Sequence, residues 1–133
     1  FATAFSLHIG SKVPAHCTSM GRILLAAMDK DTLTHWLAHY PLFAINERTI
    51  VDETKWFAAI EEVRRNDYAI SDGEMEVGLR SIAVPVRDGS GRVVAGLNAA
   101  TNTARTSLSV LRKSFLPVMR AAAAEIGETM SHR

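Results

Sequence analysis

His16 and Cys17 stand side by side ahead of the run TSMGRILLAAM, and a cysteine at the start of a helix has its thiolate favoured by the helix dipole. Neighbouring side chains in an extended segment diverge, and no third residue stands ready to orient the pair. A structural or ligand-contacting role is therefore expected of them, not nucleophilic catalysis. His35 and His39 have the spacing of two metal ligands on one helical face. Trp36 occupies the position where a metalloprotease carries its glutamate, so two partly exposed histidines around a buried tryptophan are expected instead. Asp72, Glu74 and Glu76 alternate and would share one face of an extended segment. Without the turn spacing of a calcium loop they read as a solvated edge, with Asp72 able to point inward as a hydrogen-bond acceptor. Gly10 and Gly21 have neither Walker nor dinucleotide spacing. What survives is an anion seat. Ser11 to His16 feed into a helix whose first turn holds Thr18 and Ser19, where free N–H groups and the dipole favour a carboxylate or phosphate.

Every helix has such an end, so the seat needs a second wall. The stretch from Gly78 to Ala100 supplies one. Its middle, Asp88-Gly89-Ser90-Gly91, is a turn, and flanks rich in Val, Ile and Ala alternate with period two, which predicts a β-hairpin. Pairing Arg87 with Arg92 places Ser81 opposite Asn98 and Ala83 opposite Gly96. One face then carries Ile82, Val84, Val86, Val93, Ala95, Leu97 and Ala99. The other carries Ser81, Ala83, Pro85, Val94, Gly96, Asn98 and Ala100, small or polar residues with room beside them. A slip of one residue would turn Arg80 inward.

The other elements follow in order. Ala2 to Ile9 alternates weakly and is expected to be a first strand. A helix follows the GSKVPAH loop, with Cys17, Thr18 or Ser19 as its cap and Met20, Ile23, Leu24 and Ala27 at helical spacing. A second helix, capped by Asp29 or Asp31, runs to about His39 with Leu33, Trp36, Leu37 and Tyr40 inward, and Pro41 stops it. A third spans about Asp52 to Asn66, with Trp56, Ile60 and Val63 as its apolar stripe. Tyr68 to Ile70 is a short strand. A final helix covers about Thr106 to Met130, its inner side made by Leu108, Leu111, Phe115, Val118, Ala122 and Ile126, with a kink or break at Pro117. The fold class expected is α+β, with a largely antiparallel sheet of four to six strands.

The whole sequence fits one domain: 133 residues, with 15 basic and 14 acidic side chains. A net charge of +1 gives no basic stripe for nucleic acid. A single cysteine excludes an internal disulfide and suits a cytoplasmic location. No run approaches the length of a transmembrane helix, no signal peptide is visible and no membrane partner is expected. Because the sequence starts with Phe1, it reads as a piece of a longer protein.

The segments GSKVPAHCTSMGRILLA and YAISDGEMEVGLRSIAVPVRDGSGRVVAGLN, followed by a long C-terminal helix, resemble the effector-binding domain of IclR-type transcriptional regulators. TSMGR, GLRSIAVPV and LN are similar to the branch that senses aromatic acids of the β-ketoadipate pathway, such as protocatechuate and 4-hydroxybenzoate. The resemblance implies a GAF-like fold, a curved antiparallel sheet with helices on both faces. It also implies a winged helix-turn-helix DNA-binding domain N-terminal to this chain, assembly as a dimer or tetramer, no enzymatic activity and no cofactor. The implied pocket uses the loop Gly10, Ser11, Lys12, Val13, Pro14 to His16, the helix start with Thr18 and Met20, Asp72, Ser81 and Asn98. His16 is the preferred donor or cation, Arg22 the second. Ser81 stands where many members have Cys, and Ala100 where others have Ser, which argues against a very small polar effector such as glyoxylate and leaves space for an aromatic ring. The alternative is a GAF-like oligomerisation module without a functional pocket.

Overall fold

Asp88 makes the hairpin turn as much through its side chain as through its backbone. Its Oδ1 accepts from the Ser90 and Arg92 amides at 2.9 and 3.1 Å, and its own amide donates to the Arg92 carbonyl at 3.0 Å. Gly91, at φ +86°, supplies the left-handed residue that the turn requires. In this computed structural model, which describes residues 8–131, the flanks are strands β2 (Leu79–Arg87) and β3 (Val93–Asn102). Strand β1 (Ala69–Asp72) pairs antiparallel with β2, giving the order β1-β2-β3. Among the described residues the sheet therefore has three strands. Residues 2–7 of the expected first strand lie outside the described part, and His8 leads into a turn at Ile9 and Gly10.

The observed register differs from the expected one by two residues. Ser81 lies opposite Ala100 and Ala83 opposite Asn98, while Arg87 pairs with Val93 and Val86 with Ala95. The irregularity at Val86/Arg87 leaves Val94 as the extra residue of a bulge. An even displacement keeps each residue on its face, so the segregation of the hairpin survives. The bulge exchanges only Val93 and Val94. Val94 packs with the core under the C-terminal helix, and Val93 with the opposite cluster.

Three helices precede the sheet. Helix α1 (Ser19–Ala26) is capped by Thr18, whose hydroxyl accepts from Gly21 N–H. Helix α2 (Lys30–His39) is capped by Asp29, and α3 (Glu53–Asn66) by Asp52. Leu25, Leu33, Leu37, Trp56 and Ile60 form the core among them. Tyr40, expected inward, is 63% exposed, since the chain leaves helical geometry there ahead of Pro41. Ile23, Val63, Ala69 and Ala83 join this layer to the sheet.

The other face of the sheet is covered from the C-terminus. A short α4 (Leu108–Val110) passes into a π-helical turn (Leu111–Phe115) and then into α5 (Leu116–Ser131). The π turn directly precedes Pro117, which has no N–H to donate and whose ring would crowd the Lys113 carbonyl; Leu116 N–H instead reaches back to the Leu111 carbonyl. The extra residue rotates everything after it. The inner stripe becomes Leu111, Leu116, Met119, Ala123 and Gly127, whereas Val118 and Ile126, expected inward, are exposed. Ile82, Val84 and Val86 meet that stripe. The fold is α+β, an antiparallel sheet with helices on both faces.

A polar seat between helix α1 and the hairpin

Helix α1 comes down with its first turn on the small-residue face of β2 and β3. It can approach closely because that face has little on it. A Cβ at Gly96 would sit 3.0 Å from Met20 Cγ, and a Cβ at Gly21 would strike the Ala15 carbonyl. Ser19, in the first turn, is 1% exposed. Its Oγ lies 2.7 Å from Ser81 Oγ and 2.7 Å from Asn98 Oδ1. Among the described residues Asn98 Nδ2 makes no hydrogen bond, so the amide has donor capacity to spare there. Ser71 lies directly across from Ser81 on β1, and its hydroxyl donates to the Cys17 carbonyl at 2.7 Å. The seat thus has hydroxyls of three serines and one carboxamide, beside a helix N-terminus that favours negative charge. Ala100 adds only a methyl group to this face, and Gly96 is covered by Met20.

A buried ion pair fixes the helix above it. Arg22 Nη1 and Nη2 meet Glu74 Oε2 and Oε1 at 2.7 and 2.5 Å, both side chains being under a tenth exposed. Arg22 Nε and Trp56 Nε1 each donate to the His16 carbonyl at 3.0 Å. Glu74 Oε1 also accepts from Ile50 N–H at 3.2 Å, and its carbonyl from Thr49 Oγ1 at 2.8 Å. Both charges are bidentately matched, which is what their burial demands.

The structure thus brings Met20, Thr18, Ser81 and Asn98 together at one end of α1. It does not bring all the expected residues there. Arg22 is committed to Glu74. The ring of His16 turns to Phe43, with Nε2 2.9 Å from the Phe43 carbonyl, so neither expected cation reaches Ser81 or Asn98. Asp72 faces the other way, since it pairs across the strands with Arg80 and bonds it at 2.9 Å, and Arg48 at 3.3 Å. Arg80 is thereby held on the face opposite Ser81 and also donates to the Thr106 carbonyl. The inward residue is Ser71, one position earlier. Of the loop, Gly10 and Lys12 are exposed, and Ser11 Oγ accepts from His8 N–H within its own turn. Val13 and Pro14 line a separate cleft with His16.

Sequence reading missed Ser19 as a bridging residue, Ser71 and the Arg22–Glu74 pair. For Ser71 a signal existed, because it sits two residues beyond Ala69, the inward position of the same strand. Cys17 is fully buried, with its Sγ 4.0 Å from Met75 Sδ. Burial, and next the Glu74 carboxylate, push its thiol up to about 11, so it is no nucleophile at neutral pH. Of the three acidic residues expected as a solvated edge, Glu74 instead holds Arg22 and Asp72 holds Arg48 and Arg80, and no group of three or more side chains able to hold a metal occurs among the described residues.

Fold and seat define the class: an α+β domain in which a helix start meets the small face of an antiparallel sheet. The family description "Bacterial transcriptional regulator IclR C-terminal" matches residues 2–128, and the chain belongs to that family. It is 47% identical over 120 residues to the Pca regulon regulatory protein of Pseudomonas putida, covering 90% of this chain and 41% of that protein. It is 36% identical over 122 residues to the p-hydroxybenzoate hydroxylase transcriptional activator of Acinetobacter baylyi, covering 92% and 45%. Among solved structures it resembles a double mutant of the PobR inducer-binding domain from Acinetobacter in complex with 3-hydroxybenzoic acid. There the TM-score is 0.89 at 34% identity, covering 96% of this chain and 75% of that one. It also resembles the C-terminal domain of E. coli KdgR, with a TM-score of 0.85 at 34% identity, covering 92% and 74%. The relatives are transcriptional regulators, and the chain spans less than half the length of these curated ones. No helix among the described residues is long and apolar enough to cross a membrane.

Proposed function

We propose that this chain is the effector-sensing domain of a cytoplasmic transcriptional regulator and that it takes a small hydroxylated aromatic carboxylate, of the protocatechuate or 4-hydroxybenzoate kind. The observation that carries this reading is the Ser19–Ser81–Asn98 junction under the first turn of α1. A carboxylate there meets helix N–H groups and hydroxyl donors, which stabilise it without a guanidinium. An aromatic ring lies against Gly96 and Ala100 once the flexible Met20 side chain moves off Gly96. The ligand takes over hydrogen bonds that Ser19 now makes to the sheet, so it acts on the helix start. The kinship with regulators of p-hydroxybenzoate and Pca genes, and with a domain solved with 3-hydroxybenzoic acid, supports the same ligand class.

In this reading DNA is bound by an N-terminal winged helix-turn-helix outside the chain, and the regulator works as a homodimer or tetramer. The effector prefers one arrangement of the subunits and so biases the DNA-binding domains. Titration calorimetry with protocatechuate, 4-hydroxybenzoate, 3-hydroxybenzoate and glyoxylate tests it. Binding of the aromatic acids, its loss in Ser81→Val and Asn98→Leu, and no heat from glyoxylate are expected. No heat from any aromatic acid at millimolar concentration, with the domain folded, would leave only an oligomerisation role.

A further inference from the structure

Helix α2 carries a side-chain pair that the seat does not use. His35 and His39, one turn apart, are both exposed. Trp36 between them is half-buried and stacks on Tyr40 and Trp56, at 5.4 and 6.2 Å between ring centroids. The two imidazoles share one face of the helix, with centroids 4.6 Å apart and planes inclined by 51°. Two nitrogens that each lie about 2.0–2.1 Å from one ion are roughly 3 Å from each other. Rings already this close reach that spacing by small side-chain torsions, with the backbone unmoved.

Hydrogen bonding decides which nitrogen of His39 can ligate. Its Nδ1 lies 3.0 Å from the His35 carbonyl, which can only accept, so Nδ1 carries the proton and Nε2 the lone pair of the neutral ring. A metal-ligating imidazole usually donates its other N–H in this way, because the bond holds the ring and raises the basicity of the ligating nitrogen. The position also favours a cation, since His39 closes the last turn of α2, at the negative end of the helix dipole. Asp31 stands one turn before His35, but no group of three such side chains comes together among the described residues. The protein therefore offers two nitrogens and leaves the other coordination positions to water. Imidazoles without carboxylates suit zinc, nickel and copper ions and not calcium or magnesium.

We propose that His35 and His39 form a two-imidazole chelate for a divalent transition cation, Zn(II), Ni(II) or Cu(II), on the exposed face of α2. The bound ion bridges successive turns and clamps the end of the helix. That end borders the aromatic cleft, which His39 lines with His16, Trp36, Tyr40 and Phe43. The chelate is independent of the aromatic-acid seat, whose Ser19, Ser81 and Asn98 stand on other elements.

The probes are zinc chloride and copper chloride, titrated into the full chain after chelator treatment. Calorimetry with Zn(II) should show one saturable site per chain, weakened tenfold or more by His35→Gln or His39→Gln alone, because either leaves a single imidazole. Glutamine is a good helix former at an exposed position, and melting curves without metal verify that the variants stay folded. His8→Gln and Ser81→Val should bind as the wild type does. Zn(II) should raise the melting temperature of the wild type and not that of His39→Gln. Cu(II) should quench tryptophan fluorescence, through Trp36, in the wild type and not in the double variant. Affinity should fall on acidification, since protons compete for the same lone pairs. Three results overturn the proposal: no saturable Zn(II) binding below millimolar concentration, binding unchanged in His39→Gln, which would place the ion on other histidines, or binding lost in Ser81→Val, which would place it in the seat.

Discussion

The two faces of β2 and β3 have opposite designs. Under α5, Ile82, Val84 and Val86 are at most 2% exposed and interdigitate with Leu111, Leu116 and Met119. Under α1, the same strands offer Ser81, Gly96, Asn98 and Ala100 beside a small apolar contact of Ile23 on Ala83, and the first turn is joined to them by hydrogen bonds from Ser19. Close-packed aliphatic contacts tolerate almost no rearrangement. A hydrogen-bonded junction of small residues can exchange partners with an incoming ligand for little net free energy, because each internal bond is worth only about 1 kcal/mol more than its replacement by solvent. One face stabilises the domain, and the other is suited to a signal.

The contrast can be broken by substitution. The largest effect is expected from Glu74→Ala. It leaves Arg22 buried without its carboxylate and should cost about 3–5 kcal/mol in urea denaturation. A loss under 1 kcal/mol would mean that the pair does not hold α1 in place. Next, Ile82→Ala on the α5 face should cost about 2–4 kcal/mol, while Ser81→Ala, one residue away on the α1 face, stays within about 1 kcal/mol. Equal losses would erase the distinction between the faces. Gly127→Ala should cost about 1–3 kcal/mol, since its Cβ would collide with the Arg87 carbonyl and lift α5 off the end of β2.

The smallest effect at neutral pH belongs to Cys17. Its folded-state value of about 11 lies above the ordinary 9.0, so the unfolded chain loses the thiol proton first. Stability therefore falls as pH rises from about 9 to about 11, and this contribution is flat below that window. Melting curves between pH 8 and 11 on wild type and Cys17→Ala check it; parallel curves would contradict it. Iodoacetamide should label the thiol at pH 8 only after denaturation.

How much of this was legible follows from the range of the forces. The α2 and α3 caps and the hairpin faces come from neighbours in sequence, and α2 and α3 lie where the expected periodicity put them. The strand register depended on how Asp88 closes its turn and on one bulge, and it came out displaced by two residues. The inner stripe of the last helix failed after Phe115 because one π turn re-phases it. Asp72 was assigned inward where Ser71 belongs, since alternation was not carried on from Ala69. The Arg22–Glu74 pair joins residues 52 apart, and the aromatic cleft joins the loop before α1 to the end of α2 and the segment after it. Neither has any local trace. Composition names the residues able to do chemistry, but tertiary packing decides which of them are already spoken for.

The most direct test of the central claim is a crystal structure of this chain grown with protocatechuate. The carboxylate is expected within hydrogen-bond distance of the first-turn amides of α1 and of Ser81, with the ring over Gly96 and Ala100 and Asn98 Nδ2 engaged. A ligand lodged against Phe43 and Tyr40 with the Ser19–Ser81–Asn98 junction undisturbed would contradict it.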